Sequence, residues 1–394
     1  MTHDVIVVGA GPGGRCARAA LLGAGVADVV TLGRDVLGAR FNDGTDTWLL
    51  TTADAETTRA RVVVAAYRPV QVPWLPDIPG RDEFPGESFH AAQWPTDFRP
   101  GGKRVAILGA DATAGHHLPG LTASAASVTV FAHPPRRIVP ELPLPATRAK
   151  RWLGRRIRPT ARAEPLPALA GSAVTAVTAS GIRTADGVDH GADTIVYATG
   201  FAVPAATPDT VLVGAGGVTA RQVWADGAEP YFGVAVHGLP NYFFVDGPDV
   251  EAQARYVAEC VGLLIHGSGR RIEVRRSSYQ VFNERAYLRP AQPQPVASAF
   301  DITSGGSDAT YEGSATLTIA GAEHPVRVRL AGHLDPIDGR YHWQGTVFGA
   351  AGLMETRTAM LTVGERSASA RIVELTPWGT HTVAGVGDPP YALR

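Results

Sequence analysis

A short apolar run at residues 5–8, followed at once by Gly9-x-Gly11-x-x-Gly14, constrains this chain more than any other feature. Four consecutive apolar residues bounded by glycine read as a buried parallel strand, and the small and apolar residues at 15–23 carry a helical pattern. Placed between strand and helix, the three glycines have separate tasks. Gly9 permits a tight turn, Gly11 lets the main chain approach a pyrophosphate, and Gly14 lets the helix pack closely on the strand. The helix opening supplies amide donors and a positive dipole end for the anion.

The same order returns downstream. Residues 104–108 form a strand, 109–115 a glycine-containing turn, the next stretch to about 126 a helix, and 127–131 a further strand. Between the two units lie a second strand at 28–32, a hairpin made of 47–51 and 59–66, and a proline-rich connector at 69–100. Beyond them come a buried strand at 194–199 ending in Ala-Thr-Gly200, another at 242–245 ending in Asp246-Gly247-Pro248, and a long helix at 250–265. After the linker at 290–295 the texture changes to strand alternation such as Val326-Arg-Val-Arg-Leu330. The expected fold is α/β, with two Rossmann-like dinucleotide-binding units of three-layer build and a C-terminal all-β barrel or sandwich. Residues 1–100 with 190–290 would form the first, discontinuous unit, 101–189 the second, and 297–394 the β domain.

The connector carries Phe84-x-Gly86-x-x-x-His90-x-x-x-Trp94-Pro95. With the first glycine motif before it and Asp193-Thr-Ile-Val-Tyr-Ala-Thr-Gly-Phe201 after it, the sequence resembles the flavin-containing monooxygenases, and most closely the Baeyer–Villiger monooxygenases, over most of residues 1–290. The resemblance implies FAD in the first unit and NADPH in the second, NADH being possible. It implies that reduced flavin activates O2 and that one oxygen atom enters a ketone or a soft nitrogen or sulfur centre of a small apolar organic substrate. It places FAD on Gly9, Gly11 and Gly14, with Asp246 and Gly247 near the flavin. It places the nicotinamide nucleotide on Gly109, Thr113 and Ala114, with Arg136 or Arg137 on a 2′-phosphate and Thr199 and Gly200 at a turn close by. His90 and Trp94 would couple the two nucleotide domains; no catalytic residue facing substrate is assigned.

Departures from the family pattern are specific. Gly33 stands where an acid should grip the ribose, with Asp35 about two residues late. Tyr67 and Arg68 replace a small Thr-Gly turn, and the first unit is shortened after residue 32. Asp111 takes the place of the middle glycine of the second motif; a carboxylate ~4 Å from a pyrophosphate charge costs about 4 kcal/mol at an effective dielectric near 20. Two rival functions follow, a non-catalytic homologue acting as a binding or scaffold protein and an NAD(P)H oxidase or flavin reductase.

Composition narrows the remainder. With 394 residues, 45% of them hydrophobic and 19% charged, and a net charge of -1, the chain is globular; disorder and wholesale polyanion binding are excluded, so no nucleic acid is expected. Cys16 and Cys260 cannot build a disulfide framework or a four-thiolate zinc site, and no metal is assigned. No basic leader precedes the first strand and no apolar stretch reaches bilayer length, so a cytoplasmic protein without integral membrane association is expected. The basic run at 148–162 reads as a solvated helical face. Turn chemistry explains Asp335 and Asp338 between His333 and His342. Tyr341, Trp343, Phe348 and Trp378 read as core aromatics of the tail, whose run at 332–343 resembles an uncharacterised bacterial module that follows monooxygenases of this type.

Overall fold

The computed structural model describes residues 2–68, 70–137, 167–267, 269–304, 310–319, 321–334, 340–348, 358–375 and 381–392. The expectations for the basic run at 148–162, for a helix near 350–354, for the turn containing Asp335 and Asp338, and for Trp378 lie outside them.

The first motif folds as its glycines require. Strand β1 (Thr2–Val8) leads through Gly9 into helix α1 (Pro12–Gly23) and returns as β2 (Val29–Leu32), parallel to β1. Val5, Ile6 and Val7 are fully buried, as a strand covered on both faces must be. Strand β3 (Val36–Asn42) pairs antiparallel with β4 (Thr47–Thr52), and β4 in turn with the start of β5 (Thr57–Ala65). The hairpin at β4 and β5 was legible in the sequence; β3 was not. The second half of β5 then runs parallel to both β1 and Tyr242–Phe244, which assembles the parallel core of the first sheet.

The second sheet is parallel throughout, in the order Ala168–Ala170, Ser127–Ala132, Arg104–Gly109, Thr194–Tyr197, Glu87–His90. Its helix, α2 (Ala112–Ser124), opens behind Gly109 as the repeated motif predicts. The proline-rich connector is more regular than its composition suggests, because Glu87–His90 hydrogen-bonds as the edge strand of this sheet. Helix Val250–His266 packs against α1, and Gly269–Val274 pairs with Phe300–Ser304, so the first strand after the linker belongs by pairing to the α/β body.

The tail closes into a six-stranded antiparallel barrel. Along its second strand Val326, Val328 and Leu330 point inward, together with Leu317, Trp343, Val347, Leu361 and Val383, while Arg327 and Arg329 point out. This period-two alternation is the pattern read from the sequence, and Trp343 is the core residue it was expected to be, whereas Phe348, also expected in the core, turns outward against Gly216 of the α/β body.

Candidate functional site: a cleft between two dinucleotide units

At the first unit, Gly9 has φ +104°, a conformation that disfavours any side chain. A Cβ at Gly14 would lie 1.9 Å from the Gly9 carbonyl oxygen, and one at Gly13 would lie 2.4 Å from that of Val245. Gly11, at the N-cap, has nothing within 4 Å of its Cβ position. No side chain caps α1 and no acidic residue sits in its first turn. The helix opening therefore offers main-chain donors beside open space, which fits a diphosphate. Directly after β2 stands the exposed Gly33, with Asp35 two residues further on, and Arg34 between them bonds Asp54 and Glu56 across the adjoining loops.

Tyr67 and Arg68, the bulky substitutes for a small turn, are both engaged. Burial, with Asp35 adding to it, pushes the Tyr67 hydroxyl up to about 12, and that hydroxyl bonds Tyr242. Arg68 pairs with Asp246 at 3.1 Å, donates to its carbonyl at 3.0 Å, and lies 5.0 Å from the Phe201 ring centre. Burial pushes the Asp246 carboxyl up and Arg68 pulls it back. Gly247 donates its N–H to the Gln253 side chain at 2.9 Å.

The second unit differs at the same point. Gly109 is pinned, since a Cβ there would meet the Ala198 carbonyl oxygen at 2.0 Å. Asp111 is fully buried and accepts from Ala114 N at 2.8 Å and from Gly200 N at 3.0 Å. Glu229, which no motif announced, accepts from Ala112 N at 2.8 Å and from Arg136 Nη2 at 2.7 Å. Burial pushes the Glu229 carboxyl up, Arg136 pulls it down, and Asp111 pushes it up again. Arg136 is thus engaged inside the fold, also donating to the Arg285 carbonyl at 3.1 Å, whereas the Arg137 side chain is exposed. Thr199 donates its hydroxyl to the Trp74 carbonyl, and Thr113 lies on the cleft side of α2.

Between the units lies a cavity of about 480 Å³, within the ~300–1,000 Å³ common for small-molecule sites. The structure brings Asp246, Gly247 and Thr113 to it, together with Arg68, Phe201 and Gln253. The connector signature sits behind this cleft. His90 is buried, accepts from Ala92 N at 3.1 Å and lies 5.8 Å from the Phe201 ring; burial holds its imidazole below the usual value. Trp94 stacks on His117 of α2 at 4.0 Å. Pro95 accepts from Phe98 N, and a Cβ at Gly86 would meet the Asp193 carbonyl oxygen and the Phe84 ring, both at 2.6 Å.

Two Rossmann-like sheets, each with a helix that opens behind a glycine turn, flank this cleft. The chain is distantly homologous to the Baeyer–Villiger monooxygenases: it is 28% identical over 314 residues to one from Streptomyces coelicolor, covering 59% of this chain and 60% of that enzyme. It belongs to the family of an uncharacterised protein of Mycobacterium tuberculosis, to which it is 60% identical over 310 residues, 77% of this chain and 89% of that protein. Residues 308–393, essentially the barrel, match a domain of unknown function, DUF4873. Among solved structures, cyclohexanone monooxygenase from Rhodococcus sp. Phi1 bound to NADP+ superposes with a TM-score of 0.36 at 19% identity, covering 72% of this chain and 88% of that one. Among the described residues no helix is long and apolar enough to cross a membrane.

Proposed function

We propose that this protein is an FAD- and NADPH-dependent monooxygenase that inserts one oxygen atom from O2 into a small ketone or onto a soft nitrogen or sulfur centre. The observation that carries the proposal is the open, uncapped amide cradle of α1, whose Gly13 packs under the Val245 carbonyl, the neighbour in sequence of the cleft residue Asp246. Gly9, Gly11 and Gly14 shape the diphosphate site, and the Val245 carbonyl over Gly13 joins it to Asp246 and Gly247 at the cleft wall. Bound FAD, reduced by NADPH, supplies the oxygen-activating chemistry. The chain's own part is to orient and to hold charge. The Arg68–Asp246 pair fixes the loop after the last parallel strand at the cleft wall. Phe201, Phe232 and Phe244 supply apolar walls for an organic substrate.

The purified protein is expected to show flavin absorbance, to bleach on anaerobic addition of NADPH, and to convert a ketone stoichiometrically to an ester or lactone. A colourless preparation that takes up no added FAD would overturn the reading. One observation favours a second reading, a binding protein without turnover: the amides opening α2 already have carboxylate partners. Flavin that is bound but not bleached by NADPH would support it.

A further inference from the structure

The opening of α2 is occupied by the protein itself. Three main-chain donors converge there: Ala112 N on Glu229 Oε1 at 2.8 Å, Ala114 N on Asp111 Oδ1 at 2.8 Å, and Gly200 N on Asp111 Oδ2 at 3.0 Å. Behind them Arg136 clamps Glu229 at 2.7 Å, with side chains only 1% and 4% exposed. Two acceptor groups on helix-opening amides, backed by an arginine, reproduce from within the fold what a bound diphosphate would present. At α1 the equivalent place is open.

We propose that Asp111 and Glu229 are built-in competitors for the pyrophosphate of the nicotinamide nucleotide, and that Glu229 withholds Arg136 from its 2′-phosphate. The proposal rests on the nucleotide-binding reading of the second unit and adds what governs affinity and preference there. A dinucleotide on α2 must displace both carboxylates from the amides or meet two negative charges at hydrogen-bond range. When Glu229 leaves or loses its charge, Arg136 becomes the free cation of the site. Its Nε, buried and without a partner among the described residues, is a donor already in reserve.

The test is a calorimetric titration of NADP+ and, separately, NAD+ into the full chain loaded with FAD, comparing wild type with Asp111→Asn and Glu229→Gln. Both variants keep a carbonyl acceptor for the helix amides, so the cap survives while charge is removed, and Asp111→Asn gives up only the bond from Gly200 N. Asp111→Asn also leaves the Glu229–Arg136 pair intact, which makes it the informative variant should Glu229→Gln fail to fold. Each variant is expected to bind NADP+ at least about tenfold more tightly than wild type. Glu229→Gln should also raise the ratio of NADP+ to NAD+ affinity, which a merely loosened helix end would not do. Variants that bind no more tightly than wild type, or a gain identical for both nucleotides in Glu229→Gln, would overturn the proposal. Flavin content, read from absorbance in the same samples, reports on the first unit separately. A flavin-free protein whose variants still gain NADP+ affinity would sink the oxygenase reading and keep this one.

Discussion

His117 shows how a single contact carries a pH dependence. Its ring stacks on Trp94 with an interplanar angle of 18°, and burial, with His116 adding to it, lowers its pKa to about 4 from an ordinary 6.5. Between those values the unfolded chain binds more protons than the folded one, so the contribution is complete above pH 6.5 and is lost as the pH falls toward 4. Discounted for partial exposure, the loss between pH 7 and pH 5 is about 1 kcal/mol. His117→Phe keeps the stack and removes the proton, so urea unfolding of this variant should lack that part of the decline; parallel declines in both proteins would contradict the account. Trp94 was legible in the sequence because the connector signature names it by spacing. Glu229 was not, because its meaning comes from meeting Ala112 and Arg136, 117 and 93 positions away. Arg136 was read as a phosphate ligand for the same reason: the sequence shows a cation after a strand and conceals the buried acid that holds it.

Helices α1 and α2 begin from the same strand, glycine turn and helix, and differ in what covers their first amides. The local pattern was readable in both cases, since strand, turn and helix follow from neighbouring residues. The exchange of glycine for Asp111 was also readable, as repulsion of a nucleotide. Its structural counterpart was not: the same carboxylate caps the helix and bonds the Gly200 turn. The comparison yields a direct experiment on α1. Because nothing lies within 4 Å of the Gly11 Cβ position and its φ is -68°, Gly11→Asp can adopt the conformation seen at Asp111, whose φ is -66°. It should cap α1, leave the thermal midpoint unchanged or slightly higher, and weaken FAD retention at least about tenfold by putting a carboxylate into the diphosphate cradle. Flavin content after dialysis decides this; retention equal to wild type would show that FAD does not use that helix opening. Strand Glu87–His90 escaped the sequence reading because the strand it pairs with, Thr194–Tyr197, lies far along the chain, whereas β3 was missed although it forms a local hairpin with β4.

At the scale of the whole molecule, the barrel is held to the α/β body by charge. Asp43, in the loop between β3 and β4 with its side chain 6% exposed, accepts from Gly216 N at 2.8 Å and Arg329 Nη2 at 2.6 Å and lies 3.3 Å from Arg271. Arg271 also reaches Asp46, and Glu312 gathers Arg327 at 2.9 Å, Arg329 at 3.0 Å and Arg271 at 3.5 Å. Phe348 of the barrel lies against Gly216, where a Cβ would come within 2.6 Å of its ring. The alternation that fills the barrel with Val326, Val328 and Leu330 is therefore the alternation that turns Arg327 and Arg329 toward Asp43. Of this set the side chains of Asp43 and Arg271 are buried, whereas those of Arg327 and Arg329 are 46% and 31% exposed, so removal of Asp43 leaves Arg271 as the one desolvated partner short of a counter-charge. Asp43→Ala removes the acid shared by three arginines. With Asp46 and Glu312 remaining beside Arg271 and the barrel arginines partly solvated, the cost should fall below that of a fully buried pair, at about 1–2 kcal/mol. Its mark in scanning calorimetry should be a single transition that broadens or splits in two, as body and barrel lose their common stabilisation. An unchanged single transition would show that the barrel is held by apolar contact such as that of Phe348, and that the network is only a solvated seam.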